Sequence, residues 1–284
     1  MKILVLGVSG MLGNAMFRIL SEWAEFEVFG TARSSSVQRR FAPEAASKII
    51  TGVDVENQDS LVRVFSEVKP QVAINCIGLI KQLADANDLL QALPINAMLP
   101  HRLARLCELG GMRLIHVSTD CVFAGSKGNY RESDPADATD LYGRSKYLGE
   151  VTENHTITLR TSIIGHELSS SNALLGWFLA QEGQVKGYTK AIFSGLPTVE
   201  LARIVREVVL PRPELSGLFH VASAPIAKYD LLKLIAGVYD KRIEIIPDDA
   251  LVIDRSLNAE RFRDATGYVA PPWPVLVKRM FEFK

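Results

Sequence analysis

The stretch "KILVLGVSGMLG" constrains this chain more than any other. An apolar, β-branched run ends at Gly7, two more glycines follow at Gly10 and Gly13, and helical periodicity begins at once in "MLGNAMFRILSEW". Glycine permits the positive φ of a tight turn. It also lets backbone N–H groups approach a pyrophosphate at a helix N-terminus, where the dipole favours negative charge. A third glycine lets the helix lie close to its strand. Strand, glycine turn and helix in immediate succession are what a dinucleotide site requires, with a plain tight turn as the alternative. The expected cofactor contacts in this loop are Gly7, Ser9, Gly10, Met11 and Leu12.

The pattern continues along the chain. The apolar runs "EVFGTA", "IITGVD", "VAINCIG", "RLIHVST" and "TITLRTSIIG" alternate with helical stretches such as "DSLVRVFSEV" and "INAMLPHRLARLCELG". Runs apolar on both faces suit strands buried in a parallel sheet, and the alternation predicts an α/β fold covered on both sides. The expectation is a Rossmann-like, doubly wound parallel sheet with a smaller C-terminal α/β substrate-binding part. The expected division assigns residues 1–165 and 189–226 to the cofactor domain, and 166–188 and 227–284 to the substrate part. In the second half, "PTVELARIVREVVL" reads as a helix with Thr198 as its N-cap, and the tail "PPWPVLVKRMFEFK" is expected to pack onto the body.

Lys plus Arg and Asp plus Glu both total 32, so the formal net charge is zero. That balance offers no electrostatic reason for a nucleic acid or an anionic membrane as partner. The N-terminal apolar run is too short for a signal-peptide core or a membrane span. There are three cysteines, Cys76, Cys107 and Cys121, with no Cys-x-x-Cys pair. A reducing, cytoplasmic setting is therefore expected. The five histidines show no ligand spacing, so no metal is expected.

NAD sites commonly carry an acidic residue after the second strand, for the ribose hydroxyls. Here "GTARSSSVQRR" offers Arg33, Ser34, Arg39 and Arg40, and no Asp or Glu. A guanidinium matches a 2′-phosphate in geometry and charge. NADP(H) is therefore expected over NAD(H), against the alternative of a solvated basic loop.

Farther on, "DLYGRSKYLGE" places Tyr142 and Lys146 four residues apart, on one face of a helix. A free phenol titrates near ~10, too high for efficient acid–base work at neutral pH. A neighbouring ammonium is expected to lower that value. Such a phenol gives a proton to a carbonyl oxygen as hydride reaches the carbon, and the lysine suits the nicotinamide ribose. Upstream, "HVSTDCVFAG" sets Ser118 and Thr119 at a strand end, where a hydroxyl either steadies a developing oxyanion or merely caps the strand.

The segments "GVSGMLG", "NCIG", "INA", "STDCVFAG", "YGRSKYLGE", "GLPTVELA", "GLFHVA" and "DRSLN" occur in this order across nearly the whole chain. Together they resemble the extended short-chain dehydrogenases/reductases, and within them the dTDP-4-dehydrorhamnose reductase group. The resemblance implies NAD(P)H-dependent reduction of the 4-keto group of a nucleotide-linked deoxysugar, in carbohydrate and polysaccharide biosynthesis. Carried over by motif, it implies Thr119, Tyr142 and Lys146 as catalytic residues. Cys76, Ile77 and Gly78 fall on its nicotinamide-side loop, and Asn96 falls on its structural asparagine and is counted with the cofactor contacts. Asp54, with Val55 beside it, matches an adenine-contacting aspartate, or else serves as a turn residue.

The substrate contacts implied are Lys81, Gln82, Cys121, Val122, Phe123 and Arg255. Cys121 stands where the group usually has an aromatic residue, which leaves the sugar open. Lys81 and Gln82 read equally as solvated loop residues, and Arg255 as a surface partner of Asp254. A nucleotide-sugar 4-epimerase or dehydratase, and a non-catalytic NADP-binding regulatory subunit, are the competing readings. Cys121 after Asp120 departs from the Asp-Glu pair expected of a dehydratase. A homodimer is expected through the helices after the fourth and fifth strands, with apolar rows of Leu99, Leu103 and Leu106 and of Leu148 and Val151.

Overall fold

A computed structural model describes residues 1–80 and 88–284. The central sheet is made of β1 (Lys2–Leu6), β2 (Glu27–Thr31), β3 (Ile49–Ile50), β4 (Val72–Asn75), β5 (Arg113–Thr119), β6 (Thr156–Thr161) and β11 (Gly217–His220). All seven strands run parallel, in the order β11-β6-β5-β4-β1-β2-β3. Shorter strands lie outside it. β7 (Ile163–Ile164) pairs with β10 (Leu196–Pro197), and β8 (Gln184–Tyr188) with β13 (Glu244–Asp248). β9 (Ala191–Phe193) lies between β12 (Ile226–Ala227) and β14 (Ile253–Asp254).

The helices are α1 (Met11–Ser21), α2 (Pro43–Ala46), α3 (Gln58–Val68), α4 (Leu89–Ala92), α5 (Leu99–Leu109), α6 (Leu141–Leu148), α7 (Leu174–Ala180), α8 (Thr198–Ile204), α9 (Lys228–Val238), α10 (Glu260–Thr266) and α11 (Trp273–Glu282). A π-helical turn at Leu93–Met98 joins α4 to α5, and another at Val205–Val209 extends α8.

The two-residue period of a strand explains why this sheet is buried on both faces. In β1, Ile3 and Val5 enter one core with Met16 and Phe17 of α1 and Leu201 and Ala202 of α8. Leu4 and Leu6 enter the other, with Leu61 and Val64 of α3 and Leu99 and Leu103 of α5. Strand order reverses between β1 and β4, the topological switch point where ligands bind in open α/β sheets. Leu6 is in register with both Thr31 and Asn75, so the loops leaving β1 and β4 start level at the C-terminal edge.

The doubly wound expectation and the docked tail are both found. In α11, Trp273, Leu276, Val277 and Met280 are buried, and Arg279 donates to the buried Glu200 carboxylate at 2.6 Å.

Four local expectations are corrected. The third strand ends at Ile50, so Asp54 belongs to the loop beyond it. Thr198 is the first helical residue of α8, with Pro197 as the cap and no side-chain cap bond. "TITLRTSIIG" splits, because Ser162 separates β6 from β7, which pairs with β10 outside the main sheet. The apolar rows expected at a dimer face are mostly used internally. Leu99, Leu103 and Val151 are buried in the second core and Leu106 packs against it, leaving Leu148 exposed. Among the described residues no helix is long and apolar enough to cross a membrane.

Candidate active site

The first wall of the site is the β1–α1 turn. Gly7 has φ +89, and a Cβ at Gly13 would lie 2.1 Å from the Gly7 carbonyl oxygen, so the helix abuts the strand end as only glycine allows. Gly10 caps α1 with no side-chain hydrogen bond. The first amides of this helix, which begins at Met11, are therefore left for another acceptor, and Ser9, Gly10, Met11 and Leu12 line the adjoining cleft of about 550 Å³. An uncapped helix start with no room for a Cβ behind it fits a pyrophosphate.

The opposite wall comes from β4, β5 and α6. Cys76, Ile77 and Gly78 follow β4 along the cleft. The Ile77 amide is held by Asn75 Oδ1 at 3.1 Å. Asn96 does not line the cleft but fixes its edge. It accepts from the Leu79 amide at 2.9 Å and donates to the Leu79 carbonyl at 3.3 Å and to Ser145 Oγ at 3.2 Å. In this way Asn96 ties the loop after β4 to α6. Burial pushes the Cys76 thiol up to about 12, against an opposing pull from the Lys146 charge.

Asp140 caps α6 by accepting from the Gly143 amide at 2.9 Å. The cap fixes where the helix starts, so Tyr142 and Lys146 both reach the cleft. Lys146 is buried and donates to the Val117 carbonyl of β5 at 2.9 Å. Its amine titrates at about 8, lowered by burial and partly restored by the Glu150 carboxylate. Tyr142 and Thr119 line the cleft together. Thr119 Oγ1 in turn bonds Asp120 Oδ1 at 3.2 Å and accepts from the Cys121 amide at 3.2 Å.

The expected lowering of the tyrosine is not what this arrangement gives. Burial, followed by the charge of Cys121 and then of Asp120 and Asp140, moves the Tyr142 phenol upward, with only Thr119 acting the other way. Helical spacing put the lysine on the right face, but its ammonium is engaged by Val117.

Behind Lys146 lies a buried ion pair. Arg160 Nε and Nη2 each reach Glu150 at 2.6 Å, and Ser118 Oγ donates to the same carboxylate at 2.7 Å.

The remaining expected residues are scattered. Arg33, Ser34, Arg39 and Arg40 are exposed after β2, where the Ser34 side chain accepts from the Ser36 amide. Asp54 is exposed and accepts from the Glu56 amide at 3.0 Å, while Val55 is buried in the second core. Arg255 lines the cleft, donates from Nε to the Phe123 carbonyl at 2.7 Å and sets Nη1 3.9 Å from Cys121 Sγ. It is not a surface partner of Asp254. Val122 and Phe123, expected as substrate contacts, are fully buried with Tyr130 and Leu257. A 3-10 turn at Asp120–Val122 turns them inward, and Phe123 stacks on Tyr130 at 4.1 Å. Lys81 and Gln82 lie outside the described residues.

Sequence reasoning missed Lys228, the first residue of α9, and Glu167, both of which line the cleft. Glu167 accepts from Ser170 Oγ and from the Ala173 amide, folding the wall segment ahead of α7. No motif marks either residue.

The model of the RmlD substrate binding domain family matches residues 1–281. The chain belongs to this family. It is similar to the spore coat polysaccharide biosynthesis protein SpsK of Bacillus subtilis, 26% identical over 235 residues, covering 80% of this chain and 75% of that protein. It is also similar to the dTDP-4-dehydrorhamnose reductase of Aggregatibacter actinomycetemcomitans, 24% identical over 259 residues, with coverage of 87% and 82%. Among solved structures, dTDP-4-dehydrorhamnose reductase from Bacillus anthracis in complex with NADP shares the fold at a TM-score of 0.80. The identity is 20%, over 100% of this chain and 99% of that one.

Proposed function

We propose that this chain is a nicotinamide-dependent oxidoreductase that reduces the keto group of a nucleotide-activated deoxysugar, as a dTDP-4-dehydrorhamnose reductase does. The observation that carries the reading is the meeting of Thr119, Tyr142 and Lys146 in one cleft whose other wall is the uncapped start of α1. A nicotinamide cofactor bound there supplies hydride to the keto carbon. Tyr142 gives its proton to the keto oxygen, and Thr119 orients that oxygen. Lys146, held against Val117, presents its charge to the cofactor ribose. Gly7, Ser9, Gly10, Met11 and Leu12 take the pyrophosphate, and Cys76, Ile77 and Gly78 border the nicotinamide.

Finer statements belong to the same reading. Arg33 makes no side-chain bond among the described residues and stands beside Ser34, which suits a 2′-phosphate and favours NADPH over NADH. Asp54 suits the adenine. Arg255 and Lys228, two cations on the cleft wall, suit the diphosphate of the nucleotide sugar. The substrate part comprises residues 166–188 and 227–284. The assembly is a homodimer formed through Leu89, Leu90, Met98, Tyr147 and Leu148, large apolar side chains exposed on α4, the π turn and α6. The deciding experiment follows NADPH consumption with dTDP- and UDP-linked 4-keto-deoxysugars. Turnover of one of them supports the reading; cofactor binding with no turnover of any 4-keto-sugar sinks it.

A further inference from the structure

Arg255 brings its charge to the cleft from a segment far along the chain. An arginine left free there would lose much rotamer freedom on holding a ligand. The structure removes that freedom beforehand. Arg255 Nε donates to the Phe123 carbonyl at 2.7 Å, which leaves Nη1 beside Cys121 Sγ on the cleft wall.

The backbone on both sides of Arg255 is held as well. The Asp254 amide donates to the Gly125 carbonyl at 2.8 Å, and the Asp254 carbonyl accepts from the Gly128 amide at 3.1 Å. The Ser256 carbonyl accepts from the Tyr130 amide at 2.8 Å, and Ser256 Oγ accepts from the Asn129 amide at 2.8 Å. All of these partners belong to residues 125–130, so the shape of that loop decides where Arg255 stands.

One side chain organises the loop. Tyr130 Oη accepts from the amides of Gly125, Ser126 and Lys127, at 3.2, 3.1 and 3.2 Å. Three consecutive amides converge on one oxygen, and the turn closes around that atom. The Tyr130 ring is buried and stacks at 4.1 Å on Phe123, the residue whose carbonyl holds the guanidinium. Tyr130 itself is not part of the cleft wall. The fit is close: Gly125 has φ +89, and a Cβ there would lie 2.9 Å from Arg255 Cγ and 2.5 Å from Ile253 Cγ1.

We propose that Tyr130 is the positioning residue for Arg255. Its hydroxyl gathers the 125–127 turn, the loop holds residues 254–256, and the guanidinium is thereby set in advance for the diphosphate of a nucleotide sugar. Tyr130 touches no substrate and acts only through Arg255. A cation already held in place loses little further freedom when the ligand arrives, and that strengthens binding.

This role rests on the reading of Arg255 as the diphosphate contact. Calorimetry with dTDP and with UDP on the NADP-loaded protein tests both, for the wild type, Tyr130→Phe, Arg255→Ala and the double variant. Arg255→Ala weakens binding of the nucleotide by about 10- to 100-fold, the worth of a hydrogen bond to a charged group. Tyr130→Phe keeps the stacked ring and removes only the hydroxyl; binding weakens by about fivefold, on the scale of one hydrogen bond between neutral groups. That second loss vanishes in the Arg255→Ala background, because no cation is left to aim. NADPH affinity, measured separately, is unchanged in Tyr130→Phe. Ser256→Ala removes the Asn129 clasp of the same loop and shows the same loss, again only where Arg255 is present. Tyr130→Phe binding the nucleotide as the wild type does, losing NADPH affinity in parallel, or keeping its full loss without Arg255 overturns the positioning role alone. Ser256→Ala with wild-type nucleotide affinity overturns it too, even where Tyr130→Phe does not fold. A wild type that binds neither nucleotide, or Arg255→Ala that binds as well as the wild type, overturns the diphosphate reading and the role of Tyr130 with it.

Discussion

Glu150 and Arg160 form a two-bond ion pair, 2.6 Å at each contact, with both side chains almost fully buried. The same carboxylate accepts from Ser118 Oγ at 2.7 Å. Ser118 lies between Val117, whose carbonyl holds Lys146, and Thr119. One buried charge pair thus fixes the segment of β5 that carries two contacts of the site. It also joins that segment to β6 and to Glu150, two residues beyond the end of α6.

Glu150→Gln should therefore cost about 3–5 kcal/mol, because Arg160 is left as a buried, uncompensated charge. Chemical denaturation measures the loss. The Glu150 carboxylate also raises the Lys146 amine. Removing it should shift the alkaline limb of the rate profile to lower pH, since Lys146 then loses its proton sooner. Joint replacement, Glu150→Leu with Arg160→Met, should recover most of the stability but not the alkaline limb. A single variant as stable as the wild type would refute the assignment.

How far this site could be read from the sequence depended on how locally each part is encoded. The glycine turn is written in seven consecutive residues, and its geometry follows from Gly7 and Gly13 alone. Tyr142 and Lys146 share one helical turn, so their common face was legible. The sign of the tyrosine shift was not, because it depends on burial and on Cys121, Asp120 and Asp140 around the ring. Lys228 and Arg255 reach the cleft from segments far along the chain, through β12, β9 and β14, and no spacing rule links them to Tyr142. The leucine rows of α5 carry the same periodicity whether they face a partner or the sheet. Only packing against α3 and β1 shows that Leu99 and Leu103 are spent on the core.

Tyr142→Phe removes the proton donor and leaves the ring in place. Turnover of a nucleotide 4-keto-sugar should fall by about 100- to 10,000-fold, the usual contribution of general acid catalysis. NADPH affinity, measured separately by titration calorimetry, should stay near the wild-type value. A variant that turns over normally would mean that "YGRSK" is not the reacting centre, and a cofactor-binding regulatory role would then be the better reading.

Arg33→Ala should narrow the preference for NADPH over NADH by roughly tenfold, the worth of one charge-assisted hydrogen bond. Affinity for NADH should hardly change. Calorimetry with both cofactors on both proteins gives the comparison, and equal affinities in the unmutated protein would remove the basis for a 2′-phosphate site at Arg33 and Ser34.

The exposed apolar set on α4, the π turn and α6 should mediate self-association. Leu148 is 57% exposed and Leu90 79%, a load a monomer seldom leaves in one place. Light scattering at micromolar concentration should give twice the 31.3 kDa chain mass, and Leu148→Glu should return it to the monomer. A wild-type monomer under these conditions would rule the face out.

Lys146 should trade stability for function. Burial lowers its amine from 10.5 to about 8. At about 1.4 kcal/mol per pH unit, burying the charged form costs on the order of 3 kcal/mol. Below about pH 8 the amine is charged in both the folded and unfolded chains, and the full cost is present. Between about 8 and 10.5 the unfolded chain binds more protons than the folded one, so this contribution makes stability rise with pH. Cys76 and Cys107, both pushed up to about 12, act in the opposite sense above about 9, because the folded chain then holds more protons. Comparing two proteins that share both thiols largely cancels their effect. Lys146→Met keeps the side-chain length without the charge. In the absence of ligands it should therefore be more stable than the wild type at about pH 7.5, with the gap closing toward pH 10, while turnover and NADPH affinity both fall. Denaturant titrations at the two pH values measure the gap, and a variant less stable than the wild type at the lower pH would show that the Val117 bond outweighs the cost of burying the charge.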